Sequence, residues 1–443
     1  MNMSHQSFDQ SQRRSRLHPS HYLLALLLAL FTVIRLTLPA QAQGGDSISA
    51  PDTGGNVGQY ASLALDRNGY PVVSYYDDTN GDLKVMHCND ANCDPNVNGA
   101  ESIAAPDTNG NVGSHTSLKL DRNGFPVVSY YDDTNRALKV MHCNDANCDP
   151  NVNGAESITA PDPANFDGWE TSLALDSNGY PVISYLGGSN DLKVMHCNDA
   201  NCDSNVNGAE SISAPDTDGI VGYFSALVLD SNGYPVVSYH DNTNNDLKLL
   251  HCNDANCDPN VNGPESITSP DTVGEIGWNT ALVLDGSGFP IISYRDSINE
   301  TLKVMHCNDA NCDLSVNGAE SITTPDVSGA IQDEISVMVD SSGYPVISYY
   351  DAANDILKVM HCNDANCANG DESITVPDAG GDVGNYNALM LDSSGYPVVS
   401  YYDNANDDLK VLHCNDANCA NTAPIAVNDA YTTEPDTPLT IAA

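Results

Sequence analysis

Basic residues are scarce in this chain. Sixteen Lys and Arg stand against 60 Asp and Glu, a formal net charge of −44. A field of that sign repels nucleic-acid phosphates and anionic lipid surfaces and draws cations, so no nucleic-acid partner is expected. Helical periodicity is missing throughout. Apolar runs long enough to cross a bilayer are missing too. The acidity does not signal disorder, because Val, Ile, Leu and Tyr recur in fixed patterns that disordered acidic chains lack. Large aromatics other than tyrosine are few: two Trp and six Phe against 21 Tyr. No cysteine lies outside a single motif, "HCNDANC", which first occurs at His87–Cys93.

The N-terminus reads as an export signal. Basic "SQRRSR" precedes the apolar run Tyr22–Ile34, and "LPAQAQ" follows with small residues at Ala40 and Ala42. This pattern predicts a signal peptide over residues 1–42 and a mature chain starting near Gln43, with no membrane insertion after cleavage. Export places the protein in an oxidising, extracytoplasmic setting, secreted or at the cell surface.

"HCNDANC" returns at His142, His196, His251, His306, His361 and His413, at spacings of 55, 54, 55, 55, 55 and 52 residues. Each period holds three β-rich runs, in the first repeat "SLALD" (62–66), "PVVSYYD" (71–77) and "LKVMHC" (83–88). A short fourth run, "ESI", follows. Turns such as "DRNGYP" join the first two runs, with an Asp that bonds the backbone ahead and a Gly free to take positive φ. Four antiparallel strands repeated seven times predict an all-β fold, a seven-bladed β-propeller over residues 43–422. The phase of the repeat predicts how the ring closes. A version of the fourth strand, "DSISAPD", stands at Asp46 before the first full repeat, and none follows the last "HCNDANC". The N-terminal strand is therefore expected to complete the last blade, which removes a free edge. The ring is expected to be monomeric.

The "VISYYD" and "LK" repeats resemble those of secreted bacterial repeat proteins of unknown function, a resemblance that implies no activity. The Ser-x-Asp-x-Gly-x-Thr-Trp box of sialidases and the Phe-Gly/Gly-Ala-Pro pattern of integrin propellers are both missing. Residues 423–443, in "APIAVNDAYTTEPDTPLTIAA", resemble the opening of the cadherin-like or immunoglobulin-like tandem domains of bacterial surface proteins. That resemblance implies a linker or the start of a further domain.

Differences between repeats point to function. Just before the first strand of each repeat stands a variable pair, rich in rings. The candidate ligand residues drawn from these pairs are Tyr60, His115, Trp169, Tyr223, Phe224, Trp278 and Tyr386. The end of the second strand adds His240 and Arg295. In a propeller both sets face the mouth of the central channel, where flat rings with polar tips suit sugar faces; packing between blades is the alternative role. Asp77, Asp132, Asp241, Asp296, Asp351 and Asp403 end the second strand in six repeats, whereas the third has Gly187. With neighbours such as "DDTNGD" they have oxygen-ligand spacing that suits Ca²⁺. Asx turns explain the same residues, and no distal Glu completes a calcium loop. The lysine of each "LK" (Lys84 in the first repeat) is expected to pair with a carboxylate.

The cysteines fit a staple better than a metal or redox centre. Zinc sites usually pair two short-spaced ligand couples, and thioredoxin-like sites have two residues between cysteines rather than four. In an exported chain the even pairs predict local disulfides. These are Cys88–Cys93, Cys143–Cys148, Cys197–Cys202, Cys252–Cys257, Cys307–Cys312, Cys362–Cys367 and Cys414–Cys419. No nucleophile or acid–base constellation rises above the repeat. The expectation is a non-catalytic binding or adhesion propeller for a glycan or an extracellular protein. The alternatives are a glycan-acting hydrolase or lyase on the same ring, or a spacer of a large adhesin.

Overall fold

The second run of each repeat, "PVVSYYD" and its variants, is apolar on both faces. That is the signature of a strand covered on both sides. In the computed structural model, which describes residues 45–163 and 166–420 apart from the side chain of Asp333, strand Pro71–Asp77 is buried along its whole length. The expected signal peptide and the 423–443 segment lie outside the described residues. Twenty-eight strands are described, β1 (Ser47–Asp52) to β28 (Asp408–His413), in seven four-stranded antiparallel sheets. The first complete blade is β2 (Val57–Leu65), β3 (Pro71–Asp77), β4 (Asp82–His87) and β5 (Ser102–Asp107). The chain is a seven-bladed β-propeller.

Closure follows the expected phase. The last sheet has the order β1–β28–β27–β26, with β26 at Val383–Leu391 and β27 at Pro397–Asp403. Ser47 stands opposite His413 in its register. Inner strands are longer than the sequence suggested, because β2 starts at Val57 rather than near Ser62.

The apolar cores lie between blades, where each sheet covers its neighbour. One core joins Ala64, Val72, Leu83 and Val85 of the first blade to Leu118, Val128 and Tyr130 of the second. Another joins Leu63, Val73 and Tyr75 to Val398, Leu409 and Val411 across the closure seam. All seven disulfides form as expected and are buried in these cores.

The disulfide loop also joins blades. His87 Nδ1 lies 2.9 Å from Asn147 Oδ1 in the next blade's loop, and its Nε2 lies 3.3 Å from Asp66 Oδ2. The same contact recurs around the ring, and His413 reaches Asn92 at 3.0 Å to join the last blade to the first. "HCNDANC" is therefore a seam clamp: the histidine reaches forward and the short disulfide loop holds the asparagine that meets it. A loop this small gives about 2 kcal/mol each in the chain-entropy account.

Among the described residues, no helix is long and apolar enough to cross a membrane.

Candidate functional site

The channel mouth is shaped by one recurring glycine. Gly58 lies where β2 passes the last blade, and a Cβ there would stand 2.9 Å from Leu409 Cα. Gly113, Gly168, Gly222, Gly277 and Gly384 make the same close approach in other blades. Two residues further on, the backbone turns left-handed. Tyr60, His115, Glu170, Phe224, Asn279 and Tyr386 all have φ between 50 and 54°. Such a conformation is costly for non-glycine residues, about 1–2 kcal/mol each. The sixth blade has Gln332 in place of the glycine, and its register differs: Ile335 pairs with Tyr349.

This bulge separates the residues of each variable pair. The pairs lie within the inner strands rather than before them. The second residue of each faces the axis. There Tyr60, His115, Glu170, Phe224, Asn279 and Glu334 rim a chamber of about 180 Å³. Tyr60 and Tyr386 have ring centroids 4.6 Å apart, and Tyr60 and His115 4.4 Å. Burial pushes Glu170 up to about 7 and His115 down to about 4, so this imidazole is neutral. The first residue of each pair faces outward, opposite the end of the second strand: Trp169 pairs with Leu186, Tyr223 with His240 and Trp278 with Arg295.

Trp169 is the centre of a larger cavity of about 620 Å³ on the mouth face. Tyr131, Phe166 and Tyr223 share its walls, with Asp133, Arg136 and Asn190 as polar groups. Trp169 is 42% exposed and Phe166 52%, so both offer apolar surface to a ligand. Tyr131 meets Trp169 edge-on at 6.0 Å, and His115 stacks on it at 5.5 Å. The Arg136 guanidinium sits 4.4 Å over the Phe166 ring. Burial raises the Asp133 carboxyl against the lowering effect of a hydrogen bond from Ser114.

The cavity exists because the third blade departs from the repeat. Elsewhere an aliphatic residue at the start of the inner strand pairs with an Asp at the end of the second, as Val57 does with Asp77. In the third blade Asp167 stands at the aliphatic position and Gly187 at the aspartate's. The carboxylate has changed strands but meets the same lysine: Asp167 Oδ1 lies 3.0 Å from Lys193 Nζ, as Asp77 Oδ2 lies 3.0 Å from Lys84 Nζ. A Cβ at Gly187 would stand 3.1 Å from both the Asp167 carboxylate and the Lys193 side chain, so a side chain there would require these neighbours to shift.

The aspartates weighed as calcium ligands take part in the same pairing. Asp77, Asp132, Asp241, Asp296, Asp351 and Asp403 are buried. Each lies within ion-pair distance of the repeat lysine, from 2.7 Å at Asp403–Lys410 to 3.9 Å at Asp296–Lys303. Each also accepts a turn amide, as Asp77 Oδ2 does from Asn80 Nδ2. These carboxylates are consumed by structure. The same lysine meets a second Asp that also accepts a buried tyrosine hydroxyl, for instance Lys84 and Tyr75 at Asp52. At Asp326 burial alone would raise the carboxyl, but the bonds from Ser328, Tyr349 and Lys358 outweigh it and hold the group at about 2. No cluster of three or more potential metal ligands occurs among the described residues.

The other candidates divide. Trp278 lies between Phe224 at 5.3 Å and His240 at 5.0 Å, with both ring pairs tilted. His240 is only 1% exposed and donates from Nδ1 to the Ile276 carbonyl, so its role is internal. Arg295 is partly buried beneath the same face. The structure thus brings Trp169 and Tyr223 together in one cavity, while Tyr60, His115 and Phe224 share the axial chamber and Tyr386 abuts it. Tyr131, Asp133, Arg136, Phe166, Asn190 and Glu170 were not singled out from sequence. The signal was present in "LGGSN" standing where other repeats read "YDDTN", and in "NFDGWE" preceding the inner strand.

No protein-family model and no curated protein matches the chain. Solved structures of similar shape are distant. A protein of unknown function from Dyadobacter fermentans is 12% identical, with 84% of this chain and 98% of that one covered, at a TM-score of 0.46. The β-propeller domain of Myceliophteria thermophila Cps50 (Swd1) is 11% identical over 82% and 98%, at 0.49. The SapL1 lectin, solved with alpha methyl fucoside, is 11% identical over 71% and 95%, at 0.44. These likenesses carry no argument about activity; the sheet order alone establishes the propeller.

Proposed function

We propose that this is an exported binding propeller that recognises a glycan on its channel-mouth face without catalysis. The observation that supports it best is the Trp169 cavity. An exposed indole, two tyrosines and a phenylalanine give apolar platforms for sugar faces, while Asp133, Arg136 and Asn190 supply hydrogen bonds at its edge. Seven disulfides and the sequence of residues 1–42 support an extracytoplasmic location. Among the described residues Asp133 is the one carboxylate lining the cavity, whereas glycoside hydrolysis commonly uses a pair. This favours binding over hydrolysis. In this reading residues 423–443 join the propeller to a surface structure.

A glycan array probed with wild type and with Trp169→Ala tests the proposal. Loss of a stacking platform lowers the affinity for the best glycans about tenfold. Array signals unchanged by the substitution would remove this cavity as the site, and consumption of a bound glycan by the wild type would replace binding with catalysis.

A further inference from the structure

We propose that the axial chamber binds a compact organic cation, an alkylated ammonium group, held between Glu170 and Glu334 within a rim of aromatic rings. This site is separate from the glycan cavity, although Trp169 and Glu170 are consecutive: the bulge sends one side chain outward and the other to the axis.

Three observations carry the inference. First, the chamber is real space, about 180 Å³, with one rim residue from each of six blades. Second, five of those six rim residues are non-glycine side chains in the left-handed conformation. Glycine would take this backbone without strain, and the same strands use glycine two residues earlier where no side chain fits. Functional sites are among the places where such strain is kept. Third, the chemistry is one-sided. The rim has the carboxylates of Glu170 and Glu334 and the rings of Tyr60, Phe224 and His115, but no lysine or arginine. Glu170 Oε2 accepts the Phe224 amide, and no ion pair of a lysine or arginine with it occurs among the described residues. Lys119 is the single cation of the inner strands. It lies four residues further along its strand than His115, roughly 13 Å at strand rise.

A carboxylate enclosed without a counter-ion is destabilised as an anion, and a cationic ligand relieves that. π faces add attraction for a weakly hydrated ammonium group. A bare metal ion fits poorly, since these donors do not form a cluster of potential metal ligands. Glu334, Tyr60, His115, Asn279 and Phe224 line the chamber with Glu170, and the Phe224 amide donates to its carboxylate. His115 is neutral and Tyr60 is raised by burial, so neither competes as a charge. Binding therefore requires Glu170 to lose its proton, and affinity rises with pH through about 7.

The test is titration of the disulfide-intact protein with tetramethylammonium by calorimetry, with tert-butanol as the uncharged comparison of similar shape. The expected result is saturable one-to-one binding with Kd on the order of 1 mM, about tenfold tighter at roughly pH 8 than at roughly pH 5.5. tert-Butanol does not bind. Glu170→Gln weakens binding about tenfold and flattens the pH dependence. Near-UV circular dichroism checks that the variant is folded; if Glu170→Gln is not, the wild-type pH profile and the tert-butanol comparison decide. No saturation below about 50 mM, equal binding of tert-butanol, or a pH-independent affinity would overturn the proposal.

Discussion

Filling a missing hydroxyl at the seam where the chain ends meet should stabilise the ring. At five of the seven seams a polar side chain on the inner strand of one blade meets a buried serine of the preceding blade. Thr116 and Ser74 are 2.8 Å apart, Thr171 and Ser129 2.7 Å, Ser225 and Ser184 2.9 Å, Thr280 and Ser238 2.8 Å, and Asn387 and Ser348 2.5 Å. The same hydroxyls donate to the preceding blade's bulge carbonyl, as Thr116 does to Tyr60 at 2.8 Å. Two seams lack this. Ala61 stands at the equivalent position of the closure seam and Ile335 at that of the sixth blade. Their serine partners, Ser400 and Ser293, have buried hydroxyls without a hydrogen bond. Ala61→Thr places a hydroxyl between Ser400 and the Tyr386 carbonyl. A net hydrogen bond contributes about 0.5–1.5 kcal/mol, and satisfying a buried orphan hydroxyl about 1–3 kcal/mol, so roughly 1–2 kcal/mol is expected after side-chain ordering. Spread over the unfolding entropy of a ring this size, that raises Tm by about 1–3 °C. The assay is reversible denaturant unfolding followed by tryptophan fluorescence, with Thr280→Ala as the reverse change, expected to lose about 1–3 kcal/mol. If Ala61→Thr is neutral or destabilising and Thr280→Ala is also neutral, the seam hydroxyls contribute nothing and the reasoning fails.

Other substitutions probe the remaining structural arguments. Glu170 is raised to about 7 in the folded protein, so its contribution to stability is full below its unfolded pKa and is lost as pH rises through about 7. Glu170→Gln should therefore leave stability unchanged near pH 4 and add up to about 3 kcal/mol near pH 8; the opposite sign in pH-dependent melting would contradict the enclosed-carboxylate picture. In the third blade, Asp167→Val and Gly187→Asp should each destabilise alone, by leaving Lys193 short of a carboxylate or by forcing a clash. Together they restore the pattern of the other blades, with a coupling of about 1–3 kcal/mol in a double-mutant cycle. Additivity would show that the strand exchange is incidental. Reduction should add about 14 Da to the intact mass and lower Tm through the loss of about 2 kcal/mol per loop, whereas thiols titratable in the native protein would disprove the staples.

Much of this was legible early because the chain repeats itself. A period near 55 residues, β-rich runs in fixed order and a displaced "DSISAPD" at Asp46 are facts of the text, and they give blade count, strand order and closure. "HCNDANC" could be read as a disulfide loop for the same reason, since its cysteines are even in number and adjacent in sequence. Its histidine could not be placed, because the partner, Asn147 for His87, belongs to the next blade. The ring-bearing pairs stand out when the repeats are compared, but alternation along a regular strand does not predict a bulge. It therefore could not show that Trp169 and Glu170 serve different spaces.

The sequence by itself determined the seven-fold β architecture and the pairing of cysteines, because both arise from local or periodic patterns: strand alternation, turn chemistry and short loop closure. Only the tertiary structure decided which variable residues share a site. The left-handed bulge follows from close passage of Gly58 and its equivalents against a neighbouring blade, a contact between segments far apart in the chain. The movement of a carboxylate from the Gly187 position to Asp167 makes sense only when two strands are seen to meet at one lysine. Steric approach and charge pairing across strands act through space, and they are what turn an irregular third repeat into a cavity.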